Sequence, residues 1–193
     1  MGIEFELKYR ATPAQQAALL ERFGGQGRAI SMETTYYDTP DRYLSARHIT
    51  LRRRMENNVS VCTVKTPAGH GARGEWDCLC DDIHTAIEKL YQAGAPEYLL
   101  LLTMATLEPT CGARFTRQAI DIHTPEFSAE LAIDSGVLLG GGKEEPLCEV
   151  ELELKSGNAN AMIAYMTELA TQFGLVTEPH SKFRRAKRLA EGV

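Results

Sequence analysis

Two stretches set far apart in this chain obey the same rule. In Ile3-Glu4-Phe5-Glu6-Leu7-Lys8-Tyr9, and again from Cys148 through Glu149-Val150-Glu151-Leu152-Glu153-Leu154-Lys155, apolar and charged residues alternate strictly. A period of two belongs to β-strands, whose successive side chains point to opposite faces. The first strand then carries Glu4, Glu6 and Lys8 in one row, and the second carries Glu149, Glu151, Glu153 and Lys155. Taken alone, either row reads as the wetted face of an edge strand.

The middle of the chain supplies the opposite charge. Residues 49–55 and 59–66 form a hairpin joined at Asn57-Asn58. Arg52 and Arg54 share one face of its first strand, while Val61, Thr63 and Lys65 share a face of the second. A strand over 73–80 puts Arg73, Glu75 and Asp77 on one side. Further strands are expected at 29–37, 112–123 and 127–134, the last closed by a turn at Ser135-Gly136. Gly140-Gly141-Gly142 lacks the strand–GxGxxG–helix setting of a nucleotide loop and reads as a hairpin connection.

Helices punctuate the strands. Thr12-Pro13 caps one that carries Leu19, Leu20 and Phe23 and stops at Gly24-Gly25. Others are expected over 82–93, from Asn158 to Gly174, and over 180–191, where the face is basic. A short helical turn fits 42–46, and 96–109 shows no clear period.

The 193 residues suggest a single domain over 1–193. A net charge of −5 excludes a general attraction to nucleic acid or anionic membranes. Five cysteines without a CxxC pair fit reduced thiols rather than a disulfide framework or zinc site. No basic-then-apolar leader is visible, Glu6 stands where a myristoylation motif wants Ser or Thr, and the longest apolar stretch is too short to span a bilayer. A cytoplasmic protein is expected.

Two readings of the charged rows stay open. In one, all face water on an ordinary antiparallel sheet. In the other, a closed antiparallel barrel turns alternate side chains inward. Mixed charges in such a lumen are costly unless something ionic sits among them. A polyanion with a divalent metal fits that description. Glutamate supplies the hard oxygens that Mg²⁺ or Mn²⁺ prefers, and Arg and Lys neutralise phosphate.

At these residues the chain resembles the CYTH superfamily, the triphosphate tunnel metalloenzymes. The resemblance rests on Glu4-x-Glu6-x-Lys8, Tyr36-Tyr37-Asp38-Thr39-Pro40, Leu51-Arg52-Arg53-Arg54, Val64-Lys65, Arg73 with Glu75, Asp134, Glu149-Val150-Glu151-Leu152-Glu153, and Ser181-Lys182 with Arg185, in the family's order. It implies an α+β fold, a closed eight-stranded antiparallel β-barrel with helices packed outside. It implies Mg²⁺ or Mn²⁺ as cofactor and a small-molecule triphosphate as substrate. The chain is most similar to the CYTH domain of bacterial inorganic triphosphatases, without the helical CHAD domain that often follows there. The activity so implied is hydrolysis of tripolyphosphate to pyrophosphate and phosphate. A class IV adenylate cyclase, a thiamine triphosphatase and a non-catalytic polyphosphate- or nucleotide-binding module are the alternatives.

The resemblance also implies roles. Glu4, Glu6, Glu149, Glu151 and Glu153, with Asp134, would face the metal. Lys8, Arg52, Arg54, Lys65, Arg114, Arg117, Lys182 and Arg185 would clamp phosphate. Lys8, Glu75 and Lys182 would stand nearest the chemistry. Arg114 and Arg117 are three residues apart, so a bulge is required to aim both inward. Arg53, where the family usually has an apolar residue, should point outward.

Overall fold

The computed structural model describes residues 5–24, 26–67 and 73–192. The elements in order are β1 (Glu6–Arg10), α1 (Pro13–Arg22), β2 (Arg28–Asp38), α2 (Tyr43–Ala46), β3 (Thr50–Glu56), β4 (Val59–Pro67), β5 (Arg73–Leu79) and α3 (Ile83–Gln92). A 3-10 helix, Glu97–Met104, precedes β6 (Glu108–His123), β7 (Phe127–Gly140), β8 (Lys143–Gly157), α4 (Ala159–Phe173), β9 (Val176–Thr177) and α5 (Lys182–Glu191). Local chemistry sets the helix ends. Thr12 and Gln15 form a reciprocal capping box on α1. Asp82, Asn158 and Ser181 accept hydrogen bonds from the first-turn amides of α3, α4 and α5. Gly174 ends α4 at φ +64°.

All strands join one antiparallel sheet in the order β5-β4-β3-β2-β6-β7-β8-β1-β9. One strand, β2, links the β3–β5 half to the β6–β8 half. The expected eight-stranded barrel is not closed by hydrogen bonds among the described residues. The sheet has nine strands and two edges, β5 and β9, and no ladder joins them among the described residues.

The apolar faces decide which way the sheet turns. Leu51, Val64 and Trp76 pack against Ile83, Ile87 and Leu90 of α3 and Leu99 and Leu102 of the 3-10 helix. At the other half, Ile120, Leu131, Ile133, Val150 and Leu152 pack against Leu19 of α1 and Met162, Met166 and Leu169 of α4. Each such side chain contributes about 1.5–3 kcal/mol when fully buried. Several per strand commit that face to the helices and leave the charged residues on the other.

One helix breaks the expected arrangement. α1, α3 and α4 lie outside the sheet, but α5 packs on the inner face, with Ala186, Phe183, Leu189 and Ala190 against Met32, Tyr36, Phe115, Leu138 and Leu147. Those strand residues share parity with the charged ones, so the inner face is apolar under α5 and charged beyond it. Gly140 makes the approach possible, because a Cβ there would meet the α5 backbone at 2.5 Å (Ala186 O) and 2.6 Å (Ala190 N).

The turn expected at Ser135-Gly136 is also absent, and β7 runs straight through it to Gly140. Gly136 serves a close strand contact instead, since a Cβ would fall 2.2 Å from Arg114 O and 2.5 Å from Phe115 Cα. The hairpin reverses at Gly141 and Gly142, both at positive φ, as expected. The segment without clear period becomes the 3-10 helix and the start of β6, and the two-residue β9 has no period to betray it.

Candidate functional site

The inner face encloses a cavity of about 1020 Å³ lined by strands β1 through β8 and by the start of α5. Its first wall is the basic hairpin. Arg52 and Arg54 project from β3, in register with Thr63 and Val61 of β4. Lys65 stands opposite Glu75 of β5, and Lys65 Nζ lies 2.8 Å from Glu75 Oε2. Glu75 Oε1 is 3.7 Å from Arg52 Nη2, and Arg54 Nη1 is 3.3 Å from Glu56. These contacts leave donors over. The Nε atoms of Arg52 and Arg54 are buried and have no hydrogen-bond partner among the described residues. Burial, and then the adjacent Arg52 charge, lowers Arg54 to about 10.

The second wall is acidic. Register places Glu6 directly opposite Glu153, and Glu153 directly opposite Glu130. Three like charges side by side are unfavourable on a sheet. Each is relieved by a cation: Lys8 Nζ at 2.9 Å from Glu6, Lys155 Nζ at 2.7 Å from Glu153, and Arg28 Nη2 at 3.5 Å from Glu130.

Where α5 begins, a buried ionic knot runs from the cavity wall to the residues behind it. Lys182, the first residue of α5, places Nζ at 2.9 Å from Asp134, 3.0 Å from Glu149 and 2.8 Å from Glu151. Arg117 grips both oxygens of Asp134 at 2.8 Å and reaches Glu151 at 2.7 Å. Lys8 approaches Glu151 at 3.4 Å. Burial works against the Lys182 charge, but Glu151, Asp134 and Glu149 outweigh it and push its pKa up. Burial likewise opposes the Glu151 charge, yet Lys182, Lys8 and Arg117 hold it well below the usual carboxylate range. Glu149 differs: burial lifts it to about 7 against the pull of Lys182 and Arg185.

The structure sorts the residues expected at the site. Glu6, Lys8, Arg52, Arg54, Lys65, Glu75, Arg117, Glu151, Glu153 and Lys182 all line the cavity. Glu4 lies outside the described residues. Asp134 and Glu149 are fully buried behind the wall, their oxygens taken by Arg117, Lys182 and Arg185. Arg114 is outside the cavity, its side chain 59% exposed and its Nη2 3.1 Å from Glu144. No register shift separates Arg114 from Arg117, so the bulge needed to bring both inward does not exist there. Arg185 is also away from the cavity, with one arm on Glu149 and the other 3.5 Å from Glu178. Arg53 points outward, donating to Asp81 O at 3.1 Å.

Three participants were not expected. Glu130 shares parity with Asp134 on β7, which was the available signal. Arg28 starts a strand whose other inward residues are largely apolar, so nothing marked it. Glu178 belongs to no periodic segment. The Tyr36-Tyr37-Asp38-Thr39-Pro40 motif turns out to build a corner. Asp38 accepts from the amides of Thr39 (2.8 Å), Leu44 (2.9 Å) and Ser45 (3.0 Å), while Tyr36 packs on Phe183 at 4.9 Å between ring centroids.

Among the described residues, no three His, Cys, Asp or Glu side chains are gathered to hold a metal ion. The acidic wall nevertheless presents the hard oxygen donors that Mg²⁺ or Mn²⁺ takes, with Lys8 and Lys155 paired to Glu6 and Glu153.

The family model for the CYTH domain matches residues 2–186. An inorganic triphosphatase of Haemophilus influenzae is 28% identical over 160 residues, which are 81% of this chain and 45% of that protein. The chain thus spans less than half the length of that relative. A putative adenylyl cyclase from Hippeastrum, described as having a dominant triphosphatase activity, superposes with a TM-score of 0.70 at 14% identity, covering 100% of this chain and 96% of the other. A putative adenylate cyclase from Bacillus halodurans gives 0.63 at 18% identity, covering 95% and 96%. At those identities the two structures speak for the fold alone.

Proposed function

This chain belongs to the CYTH family, and on that premise we propose that it is a metal-dependent hydrolase of triphosphate, acting on inorganic tripolyphosphate to give pyrophosphate and phosphate. The observation that carries the reading is a basic row, Arg52, Arg54 and Lys65, set across one cavity from an acidic wall. A polyanion in that cavity accepts charge-assisted hydrogen bonds from the row, and its charge offsets the Arg52–Arg54 repulsion.

Arg52, Arg54 and Lys65 hold the phosphate chain from one side, and Lys8, Arg117 and Lys182 from the other. Glu75 keeps Lys65 and Arg52 in place. Glu6, Glu151 and Glu153, with Glu130 beside them, would hold Mg²⁺ or Mn²⁺. A bound divalent ion supplies Lewis-acid stabilisation of phosphoryl oxygens. Water attacks the terminal phosphorus, a carboxylate of the acidic wall takes its proton, and pyrophosphate leaves with its charge met by the basic wall.

The test gives the purified protein tripolyphosphate, ATP or thiamine triphosphate, with and without Mg²⁺ or Mn²⁺, and follows phosphate and cyclic AMP. Metal-dependent phosphate release from tripolyphosphate is expected to dominate. Cyclic AMP as the main product from ATP would replace the hydrolase with a cyclase. Binding of tripolyphosphate without turnover would leave a binding module. Glu6→Gln should abolish metal-dependent turnover while thermal unfolding stays near that of the parent, and unchanged turnover would remove Glu6 from the site.

A further inference from the structure

Four ionic side chains stand in sequence from behind the cavity wall to the cavity itself: Glu178, Arg185, Glu149 and Lys182. Glu178 lies between β9 and α5 and is 7% exposed. Its backbone N–H donates to Lys8 O at 2.9 Å, and its Oε1 accepts from His180 N at 2.9 Å. Its Oε2 is 3.5 Å from Arg185 Nη1 and 3.4 Å from Arg10 Nε. Arg185 Nη2 holds Glu149 Oε2, and Glu149 Oε1 accepts from Lys182 Nζ at 3.0 Å. Of the four, Lys182 alone lines the cavity.

Docking of α5 does not require this chain. Phe183, Ala186, Leu189 and Ala190 already seat the helix on the inner face. Buried charges lose hydration, so an ionic chain is an expensive way to hold a helix that apolar contacts hold. What it adds is a fixed place for each charge. With one arm of Arg185 tied to Glu178, the guanidinium offers Glu149 its other arm, and Glu149 Oε1 stays with Lys182. Freed from Glu178, a guanidinium favours a two-armed grip on one carboxylate. Arg185 would then take both Glu149 oxygens, and Lys182 would lose one of its three carboxylate contacts.

We infer that Glu178 is a positioning residue for the Lys182 ammonium, acting through Arg185 and Glu149 without touching substrate. The inference rests on the triphosphatase reading and extends it to a residue outside every motif that supports it.

Glu178→Gln keeps the side-chain shape and the acceptor for His180 N while removing the charge. The experiment measures kcat, KM and single-turnover rates for tripolyphosphate with Mg²⁺ in the parent, Glu178→Gln, Lys182→Ala and the double variant, with thermal unfolding of each. Glu178→Gln should lower kcat roughly tenfold, the scale of a small misplacement of a reacting group, and leave KM within about twofold. In the Lys182→Ala background the same change should cost nothing further, since coupled residues are not additive. Losses that multiply independently, or an unchanged rate in Glu178→Gln, overturn the inference. A lowered melting temperature with equal loss in both backgrounds does the same by assigning Glu178 to the fold. If Glu178→Gln does not fold, Arg185→Lys replaces it with the same expectation, because a single ammonium cannot bridge Glu178 and Glu149 as two arms do. A parent protein that leaves tripolyphosphate intact overturns both readings. An active parent with an unaffected Glu178→Gln overturns this one only.

Discussion

Arg52 and Arg54 are the residues on which substrate affinity should turn. Both line the cavity, and each hydrogen bond from such a guanidinium to a charged group is worth about 1.5–3 kcal/mol. Arg54→Lys keeps the charge but loses the planar fork, so tripolyphosphate affinity should fall about tenfold or more by calorimetry. Arg114→Ala removes a cation that is 59% exposed and paired with Glu144, and should leave affinity within about twofold. Counting alone put Arg114 and Arg117 on opposite faces, because two residues three apart cannot share a strand face without a bulge, but only the structure shows that Arg117 is the inward one. Glu130 had only its parity with Asp134 to mark it, because a single acid among Ala129, Leu131 and Ala132 otherwise looks like ordinary strand alternation. The thiols follow from burial: it pushes Cys62 up to about 12 and Cys111 to about 11. Both should resist alkylation of the native protein at neutral pH and react once it is unfolded, as a timed thiol titration would read.

At the level of elements, helix α5 is the departure with the largest effect. Its basic face was visible in the sequence, but a basic helix reads as solvated, and nothing local says that its apolar face meets the inside of a sheet. Tertiary contact decides that, through residues such as Leu138 and Leu147 that carry the same parity as the charges. Gly140 tests the placement. Gly140→Ala drives a methyl group into the backbone at Ala186 and Ala190, where no flexible side chain can yield. Overpacking of this kind costs about 1–3 kcal/mol, to be measured by urea unfolding with an unchanged m-value. Gly136 shows the converse error of sequence reading. Ser-Gly is a common turn pair, yet here the glycine admits a close neighbouring strand.

For the molecule as a whole, charge is segregated by sign and depth. The chain carries −5, yet cationic side chains outnumber carboxylates along the cavity wall. Tripolyphosphate should therefore stabilise the fold. At a hundred times its Kd a ligand adds about 2.7 kcal/mol, which for a chain of this size is roughly 5–11 °C in melting temperature. Added salt should shrink that shift by screening. Strand parity let the shared charged rows be read in advance, because it is a local property, while their inward direction came only from the resemblance to the CYTH family. Closure was not readable, because it depends on whether β5 and β9 meet, and neither strand encodes its partner.

The position of β2 has a consequence for size. Every ladder bond that connects the arginine wall to the glutamate wall runs through this one strand. It carries a register irregularity at Tyr36/Tyr37, next to the corner built by Asp38. On the proposed function, a change in the path of β2 would move the arginine wall relative to the glutamate wall and so alter the length of phosphate chain that both can hold.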